Sequence, residues 1–154
     1  LARSGADARA VHSQVLAGDA GPPADLMVVS VGVNDVIGLN HGRRWQRDLA
    51  TLAGALRRHS PDALIALVGL PPLESFPLLP PALARVLGGR ARTFDADLAR
   101  LAAEETGLLH VPIGTVVGPD LFCADGFHPG DAGYALLADQ VATALLARMI
   151  PADV

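Results

Sequence analysis

An acid and a histidine stand three residues apart in the segment DGFHPGDAGY near the end of the chain. Gly126 and Pro129 disfavour a regular helix, so a tight turn can bring the Asp125 carboxylate to Nδ1 of His128. That contact would fix the imidazole tautomer, leave Nε2 free as a general base and stabilise the imidazolium. The alternative is a loop that enters a helix without chemistry, since Asp-Gly is a turn signal and Asp131 can cap the helix.

A second polar loop, GVND, directly follows the apolar run LMVVSV. An asparagine at the carboxyl end of a strand faces the crevice where ligands bind, and the amide of Asn34 can donate to a developing oxyanion. The alternative is structural, because Asn and Asp terminate strands and form turns. We expect Asp35 to have that structural role, accepting backbone N–H groups.

An amide donor and an Asp–His pair are two thirds of an acyl-transfer site, and the missing third is a nucleophile. No serine lies in a G-x-S-x-G elbow. We expect Ser30 to lie inside a strand, facing the core or hidden by a helix. Ser4 is the internal candidate, although no strand or preceding glycine presents it. Cys123 would need a nearby cation or helix terminus, and a lone cysteine is usually buried and inert.

Short apolar runs alternate with helical patterns, which predicts the α/β class with a parallel sheet. Right-handed crossovers then put the ligand site at the carboxyl ends of the strands. The predicted strands cover residues 25–31, 63–70 and 107–113, and the predicted helices cover residues 6–18, 43–59, 90–107 and 131–149. We expect a long proline-rich interruption over residues 69–89.

The composition predicts one domain over residues 1–154, with 51% hydrophobic and 18% charged residues. A net charge of −4 and the absence of long basic runs argue against nucleic-acid binding. No apolar stretch is long enough to span a membrane. One cysteine excludes an internal disulfide, and the five histidines show no close His/Cys pairing, so we expect no metal site.

Three segments in this order, LARSGADA, LMVVSVGVND and DGFHPGDAGYALLA, resemble conserved blocks of the SGNH (GDSL-type) hydrolases. The resemblance implies a flavodoxin-like three-layer α/β/α sandwich around a five-stranded parallel sheet. It also implies hydrolysis of carboxylic esters, thioesters, lysophospholipids or acetylated sugars, with no cofactor. By the same resemblance, Asp125 and His128 match the acid and base of a catalytic triad. Asn34 and the backbone N–H of Gly5 match the oxyanion hole.

The chain departs from this family pattern because it has no Gly-Asp-Ser block, which carries the family's nucleophile on the first strand. Since the chain starts at Leu1, we expect that an N-terminal portion with this block precedes it. The opening LARSG would then be the end of the second strand and the glycine loop. This hypothesis predicts an exposed edge on the strand DLMVVSV and no activity for the chain by itself.

The sequence therefore predicts a serine ester hydrolase of the carboxylesterase or lipase type, acting on a small-molecule ester or lipid. A non-catalytic flavodoxin-like binding domain is the alternative, although the chain has no G-x-G-x-x-G or P-loop motif. A family member that lost its serine and only binds glycans or esters is a third possibility. The acyl group, compartment and oligomeric state are not predicted.

Two other groups of residues carry expectations. The helical spacing of Trp45 predicts core packing, and His110 in a strand-like run predicts a hydrogen-bonded core histidine. Phe76, Leu78 and Leu79 in the proline-rich stretch either line an acyl pocket or cover a core edge.

Overall fold

The computed structural model describes residues 3–114 and 118–149, and three parallel strands form its sheet. The strands are β1 (Leu26–Ser30), β2 (Leu64–Val68) and β3 (Leu108–Val111), in the order β1-β2-β3. Leu26 aligns with Leu64, and Ile65 aligns with Leu108. The α/β class and parallel pairing are therefore confirmed, with three of the five strands that the family resemblance implies.

Helices connect the strands and follow the last one. They are α1 (Ala8–Leu16), α2 (Val33–Ile37), α3 (Gly42–His59), α4 (Pro81–Glu104) and α5 (Asp131–Met149), with short 3-10 turns at Leu73–Ser75 and Pro119–Leu121. Because parallel crossovers are right-handed and the strands follow in order, α3 and α4 share one face of the sheet. Helix α1 packs on α3, whereas α5 contacts β3 and the turn at Pro119–Leu121.

Helix α4 is longer than the sequence predicted. It begins at Pro81 rather than near residue 90, so the second half of the expected proline-rich interruption is helical. Proline is well tolerated at the first helical position, because the N–H that it lacks would have no partner there. Ala84 and Leu87 are buried in this added part, which explains why the helix extends through it.

The core lies between the sheet and helices α3 and α4. Trp45 is fully buried and stacks on Phe94 with ring centroids 4.9 Å apart and planes 3° apart. Ile65 and Leu67 of β2 belong to the same core cluster. The core role predicted for Trp45 is confirmed.

Strand β1 lies at the edge of the sheet, paired with β2 alone among the described residues. Alternate side chains of a strand share one face, and on this strand that face is open: Leu26 is 40% exposed and Val28 is 51% exposed. The expectation of a fully buried strand is therefore wrong for this face, whereas the expected exposure of its edge is observed. Residues 1–2 of the expected preceding strand end lie outside the described residues.

Within residues 3–114 and 118–149, no helix combines the length and apolar character that a membrane crossing requires.

Candidate active site

Asp125 and His128 are in direct contact in the loop before α5. Asp125 Oδ2 lies 2.6 Å from His128 Nδ1. The other oxygen, Oδ1, accepts the backbone N–H groups of Phe127 and His128, each at 2.9 Å. The carboxylate is therefore fixed by the backbone while it orients the ring, which leaves Nε2 as the atom available for proton transfer.

The backbone of this loop explains how a three-residue spacing produces the contact. Cys123 N–H donates to the carbonyl of His128 at 2.8 Å, and Gly126 N–H donates to the carbonyl of Cys123 at 2.9 Å. Phe122 and Pro129 form an antiparallel bridge at the base of the loop. Gly126 has a φ of +65°, a left-handed conformation that favours glycine, and this reverses the chain between the acid and the histidine.

The electrostatics of the pair favour an ionised acid. The hydrogen bond with His128, helped by the N–H groups of Phe127 and His128, lowers the pKa of Asp125 to about 2. Both side chains are solvent-accessible, with 65% exposure for His128 and 48% for Asp125. At neutral pH the histidine therefore faces a carboxylate that can stabilise its protonated form.

Asn34 lies in the first turn of α2, immediately after β1. The chain enters this helix through Gly32, whose φ of +109° is suited to glycine. The Asn34 side chain donates from Nδ2 to the carbonyl of Ala6 at 2.9 Å. Because Nδ2 carries two hydrogens, this bond orients the amide and leaves a second donor.

Asp35 joins α2 to the start of α1. Its side chain is 1% exposed, Oδ2 accepts the N–H of Ala8 at 3.0 Å, and Oδ1 accepts from Asn40 Nδ2 at 2.9 Å. Burial raises the pKa of Asp35, although both hydrogen bonds oppose that change. The structural role predicted for Asp35 is confirmed, and it holds the segment that contains Gly5 beside Asn34.

Gly5 lies in an exposed turn with a φ of +73°. This turn, Asn34 and His128 line one cavity of about 510 Å³. The Asp125 carboxylate is hydrogen-bonded to the ring of His128. Much of the remaining wall is apolar. It includes Val33, Val68, Pro71, Phe76, Ile113, Leu121, Phe122, Phe127, Leu136 and Leu137.

Three residues considered as nucleophiles also have defined positions. Ser30 is the last residue of β1, exposed and on the cavity wall, so the expectation of a hidden hydroxyl is wrong; the open face of β1 is the reason. Ser4 is exposed and lines the same cavity. Cys123 is exposed rather than buried, with Sγ 3.3 Å from the carbonyl of Pro129.

The aromatic residues around the histidine loop form a small cluster. Phe76 packs edge-on against Phe122 and Phe127, and Phe127 packs edge-on against the ring of His128. Phe76 lines the cavity and also packs in the core cluster, so its position agrees with both interpretations, and the acyl pocket stays a prediction. Leu78 is 57% exposed and Leu79 packs partly against the core, so neither belongs to the cavity wall.

A second carboxylate–imidazole pair, which the sequence did not predict, lies between His110 and Asp95. His110 Nε2 lies 2.9 Å from Asp95 Oδ1, which confirms His110 as a hydrogen-bonded histidine and identifies its partner. The two residues are on α4 and β3, and no local motif joins them. Within the described part of the chain, no cluster of three or more His, Cys, Asp or Glu residues is arranged to hold a metal ion.

Known proteins resemble this chain in sequence and structure. Residues 1–136 match the model of the GDSL-like lipase/acylhydrolase family. A GDSL-like esterase of Mycobacterium tuberculosis (strain ATCC 25618 / H37Rv), Rv1075c, is 34% identical over 137 residues, covering 81% of this chain. The chain spans 41% of the length of that protein.

Solved structures share the fold. The crystal structure of TesA superposes with a TM-score of 0.71 at 25% identity, covering 96% of this chain and 76% of that one. A carbohydrate esterase of family 3 from Talaromyces cellulolyticus has a TM-score of 0.66 at 16% identity, covering 97% of this chain and 72% of that one. These superpositions are consistent with the three-layer α/β/α sandwich expected from the sequence.

Proposed function

Because the chain belongs to the GDSL-like lipase/acylhydrolase family, we propose that it forms the acid–base and oxyanion-binding part of a serine ester hydrolase. One observation carries the proposal: the Asn34 amide and the His128 imidazole, held by Asp125, line a single cavity. They come from segments far apart in the sequence, after β1 and before α5. The hydrolase is of the carboxylesterase or lipase type and needs no cofactor.

In this proposal His128 moves the proton in both halves of the reaction. Its Nε2 accepts the proton of the serine hydroxyl as the oxygen attacks the ester carbonyl, and then gives that proton to the departing alcohol. Water enters next, and Nε2 accepts its proton as the hydroxide attacks the acyl-enzyme. The serine leaves with that proton and the carboxylic acid is released. Asp125 remains ionised and stabilises the imidazolium in each step.

Asn34 and Gly5 stabilise the negative charge on the carbonyl oxygen. One N–H of the Asn34 amide is held by the carbonyl of Ala6, which leaves the other for the tetrahedral oxyanion. The backbone N–H of Gly5 supplies the second donor. An oriented amide needs little reorganisation when the charge develops, so its contribution is realised in the transition state.

We propose that the nucleophilic serine comes from outside these 154 residues. Ser4 and Ser30 line the cavity, yet no hydrogen bond joins either hydroxyl to His128 within residues 3–114 and 118–149. Ser4 occupies an exposed turn that no strand of the described residues precedes. By this proposal the chain alone has no turnover, and a serine added upstream completes the triad.

The cavity wall supports an apolar acyl group as substrate. Its aromatic residues are Phe76, Phe122, Phe127 and Tyr134, and Leu136 and Leu137 of α5 add aliphatic side chains. No aspartate or glutamate lines the cavity among the described residues. These features fit a small-molecule ester or lipid whose acyl chain lies against apolar side chains.

The test is hydrolysis of p-nitrophenyl esters by the complete product of the gene that contains this chain. We expect His128→Ala to lower kcat at least about 10³-fold and Asn34→Ala to lower it about 10²–10³-fold. His12→Ala, on α1 and outside the cavity wall, is the matched histidine control. Full turnover in both the His128 and Asn34 variants would remove the assignment.

Two more variants locate the nucleophile. Ser4→Ala and Ser30→Ala should keep turnover within about threefold, because neither hydroxyl is the attacking group. Loss of turnover and of acyl-enzyme formation in one of them would instead place the nucleophile inside this chain. A gene product that binds a p-nitrophenyl ester but never releases p-nitrophenol would favour the non-catalytic binding domain.

A further inference from the structure

Behind the cavity wall, one oxygen of Asp95 joins two strands to α4. Asp95 Oδ1 lies 2.9 Å from His110 Nε2 on β3, and it accepts the N–H of Leu70, just after β2, at 2.9 Å. The side chain of Asp95 is 30% exposed and that of His110 is 15% exposed. This carboxylate is therefore a fixed bridge at the carboxyl end of the sheet, where the cavity lies.

Gly69 shows how closely Asp95 approaches the backbone at this point. A Cβ on Gly69 would lie 2.6 Å from Asp95 Oδ1, 2.9 Å from the carbonyl of Val111 and 3.0 Å from His110 Nε2. Gly69 N–H donates to the carbonyl of Val111 at 2.8 Å. Since Gly69 also lines the cavity, Asp95 sets the position of the wall from behind.

The bridge continues from Leu70 to the start of α2, the helix that carries Asn34. The Leu70 side chain packs over Gly32, and its Cδ1 lies 3.0 Å from the point that a Cβ added to this glycine would occupy. Gly32 is the residue from which α2 begins, two residues before Asn34. Asp95 therefore holds the backbone N–H of Leu70, the residue whose side chain packs on Gly32 at the start of α2.

The neighbouring residue of α4 reaches the same glycine by a separate route. Phe94 stacks on Trp45 at 4.9 Å, and Trp45 Cη2 lies 3.1 Å from the Cβ position of Gly32. Two successive α4 residues thus contact the two residues that enclose Gly32: Phe94 stacks on the Trp45 ring, and Asp95 accepts the backbone N–H of Leu70. The contact made by Phe94 is an apolar core contact. The contact made by Asp95 is a hydrogen bond, so an isosteric substitution of Asp95 can test it.

We propose that Asp95 is a positioning residue for the Asn34 oxyanion donor, acting through Leu70 and Gly32. The inference rests on the proposed role of Asn34 and deepens it. Asp95 does not line the cavity, so its effect is on the placement of the amide rather than on contact with substrate. The simpler possibility is that Asp95 only satisfies the N–H of Leu70 and the ring of His110 and adds stability.

The ionisation of Asp95 determines which substitution is informative. Burial raises the pKa of Asp95, but the hydrogen bonds from His110 and Leu70 lower it, and the net result is a pKa below the usual value. The group is therefore a carboxylate at neutral pH. Asp95→Asn keeps an acceptor oxygen of the same shape, whereas Asp95→Leu removes the acceptor and leaves two donors unpaired.

Asp97 provides a matched control on the same helix. It is 8% exposed, and its Oδ1 accepts from Gln46 Nε2 and Arg100 Nη2, each at 2.9 Å. Asp97→Leu therefore removes a carboxylate that is more buried than Asp95 and pairs away from the cavity. A merely structural role of Asp95 predicts the same behaviour for both leucine variants.

The experiment measures kcat and KM for a p-nitrophenyl ester in the complete gene product, per folded molecule. We expect Asp95→Leu to lower kcat about 10-fold or more with KM changed less than about threefold, as removal of transition-state stabilisation predicts. Asp95→Asn should recover most of kcat, and Asp97→Leu should keep it. Equal kcat per folded molecule in parent and Asp95→Leu would overturn the proposal. If Asp95→Leu does not fold, Leu70→Ala tests the same link and should also lower kcat.

A readout without turnover separates this inference from the proposed function. Asn34 and Asn40 are the two asparagines of the chain, so selective 15N-asparagine labelling and an Asn34→Ala spectrum assign the Asn34 side-chain amide. That signal should shift in Asp95→Leu and stay in place in Asp97→Leu. If the complete gene product hydrolyses no ester but the signal shifts, the proposed function fails and the positioning stands. If the parent is active and the signal does not move, the positioning fails alone.

Discussion

Asp125 directs one carboxylate oxygen to His128 and the other to the backbone: Oδ2 lies 2.6 Å from Nδ1, and Oδ1 accepts the N–H groups of Phe127 and His128. The acid is thus oriented by its own loop before any substrate arrives. An acid held in this way cannot rotate away from the ring without losing the two backbone bonds. This arrangement explains why so short a segment can carry an oriented base.

The depressed pKa of Asp125 leads to a prediction on pH. The folded pKa is about 2 against an ordinary value of 3.8, so the group stabilises the folded chain above about pH 4, and this contribution is lost as the pH falls through 2. A titration of the Asp125 carboxyl 13C shift should give the folded value. The stability difference between parent and Asp125→Asn should shrink over the same window. A midpoint at or above 3.8 would contradict the hydrogen bonds described.

Gly32→Ala should destabilise the fold by about 1–3 kcal/mol, because a side chain at a φ of +109° is strained. The added Cβ would also press on Leu70 and Trp45, at 3.0 and 3.1 Å. Urea unfolding measures the loss. Gly42→Ala, with nothing within 4 Å of its Cβ position, is the control and should not be less stable than the parent. Equal stability of Gly32→Ala and the parent would refute the strain argument.

Arg57→Ala should lower stability by about 1–2 kcal/mol, since a charged side chain that holds several carbonyls is lost. Its guanidinium donates to the carbonyls of Pro61, Ala63 and Thr106 at 2.8–3.0 Å and so ties the entrances to β2 and β3 together. Chemical denaturation compares it with Arg58→Ala, an exposed neighbour expected to change stability by less than about 0.5 kcal/mol. Similar effects of the two substitutions would show that these bonds contribute little.

Val28→Lys should reduce self-association of the chain at high concentration. Val28 is 51% exposed on β1, an apolar edge strand, and a lysine on such an edge opposes pairing with another chain. Light scattering as a function of concentration measures the change. Val86→Lys, on the exposed side of α4 at 57% exposure, is the control for added charge alone. Equal reductions in both variants would show that the edge of β1 is not the cause.

The alternating apolar runs were enough to predict the parallel α/β class and all three described strands within two residues of their observed ends. Periodicity also placed Trp45 in the core. These features depend on local patterns of burial, which a sequence displays directly. The pattern was less informative for α4, where prolines suggested a loop and buried Ala84 and Leu87 instead extend the helix to Pro81.

The sequence by itself predicted the Asp125–His128 contact as one of two interpretations, since a tight turn at Gly126 can bring the two side chains together, and the structure shows that contact. The sequence also placed Asn34 at a strand end. The tertiary structure alone decided that Asn34, Gly5 and His128 share one cavity, that Ser30 faces it, and that Asp95 holds His110 and Leu70. The physical reason is that each of these contacts joins different strands and helices, whose relative placement follows from packing and not from the spacing of residues along the chain.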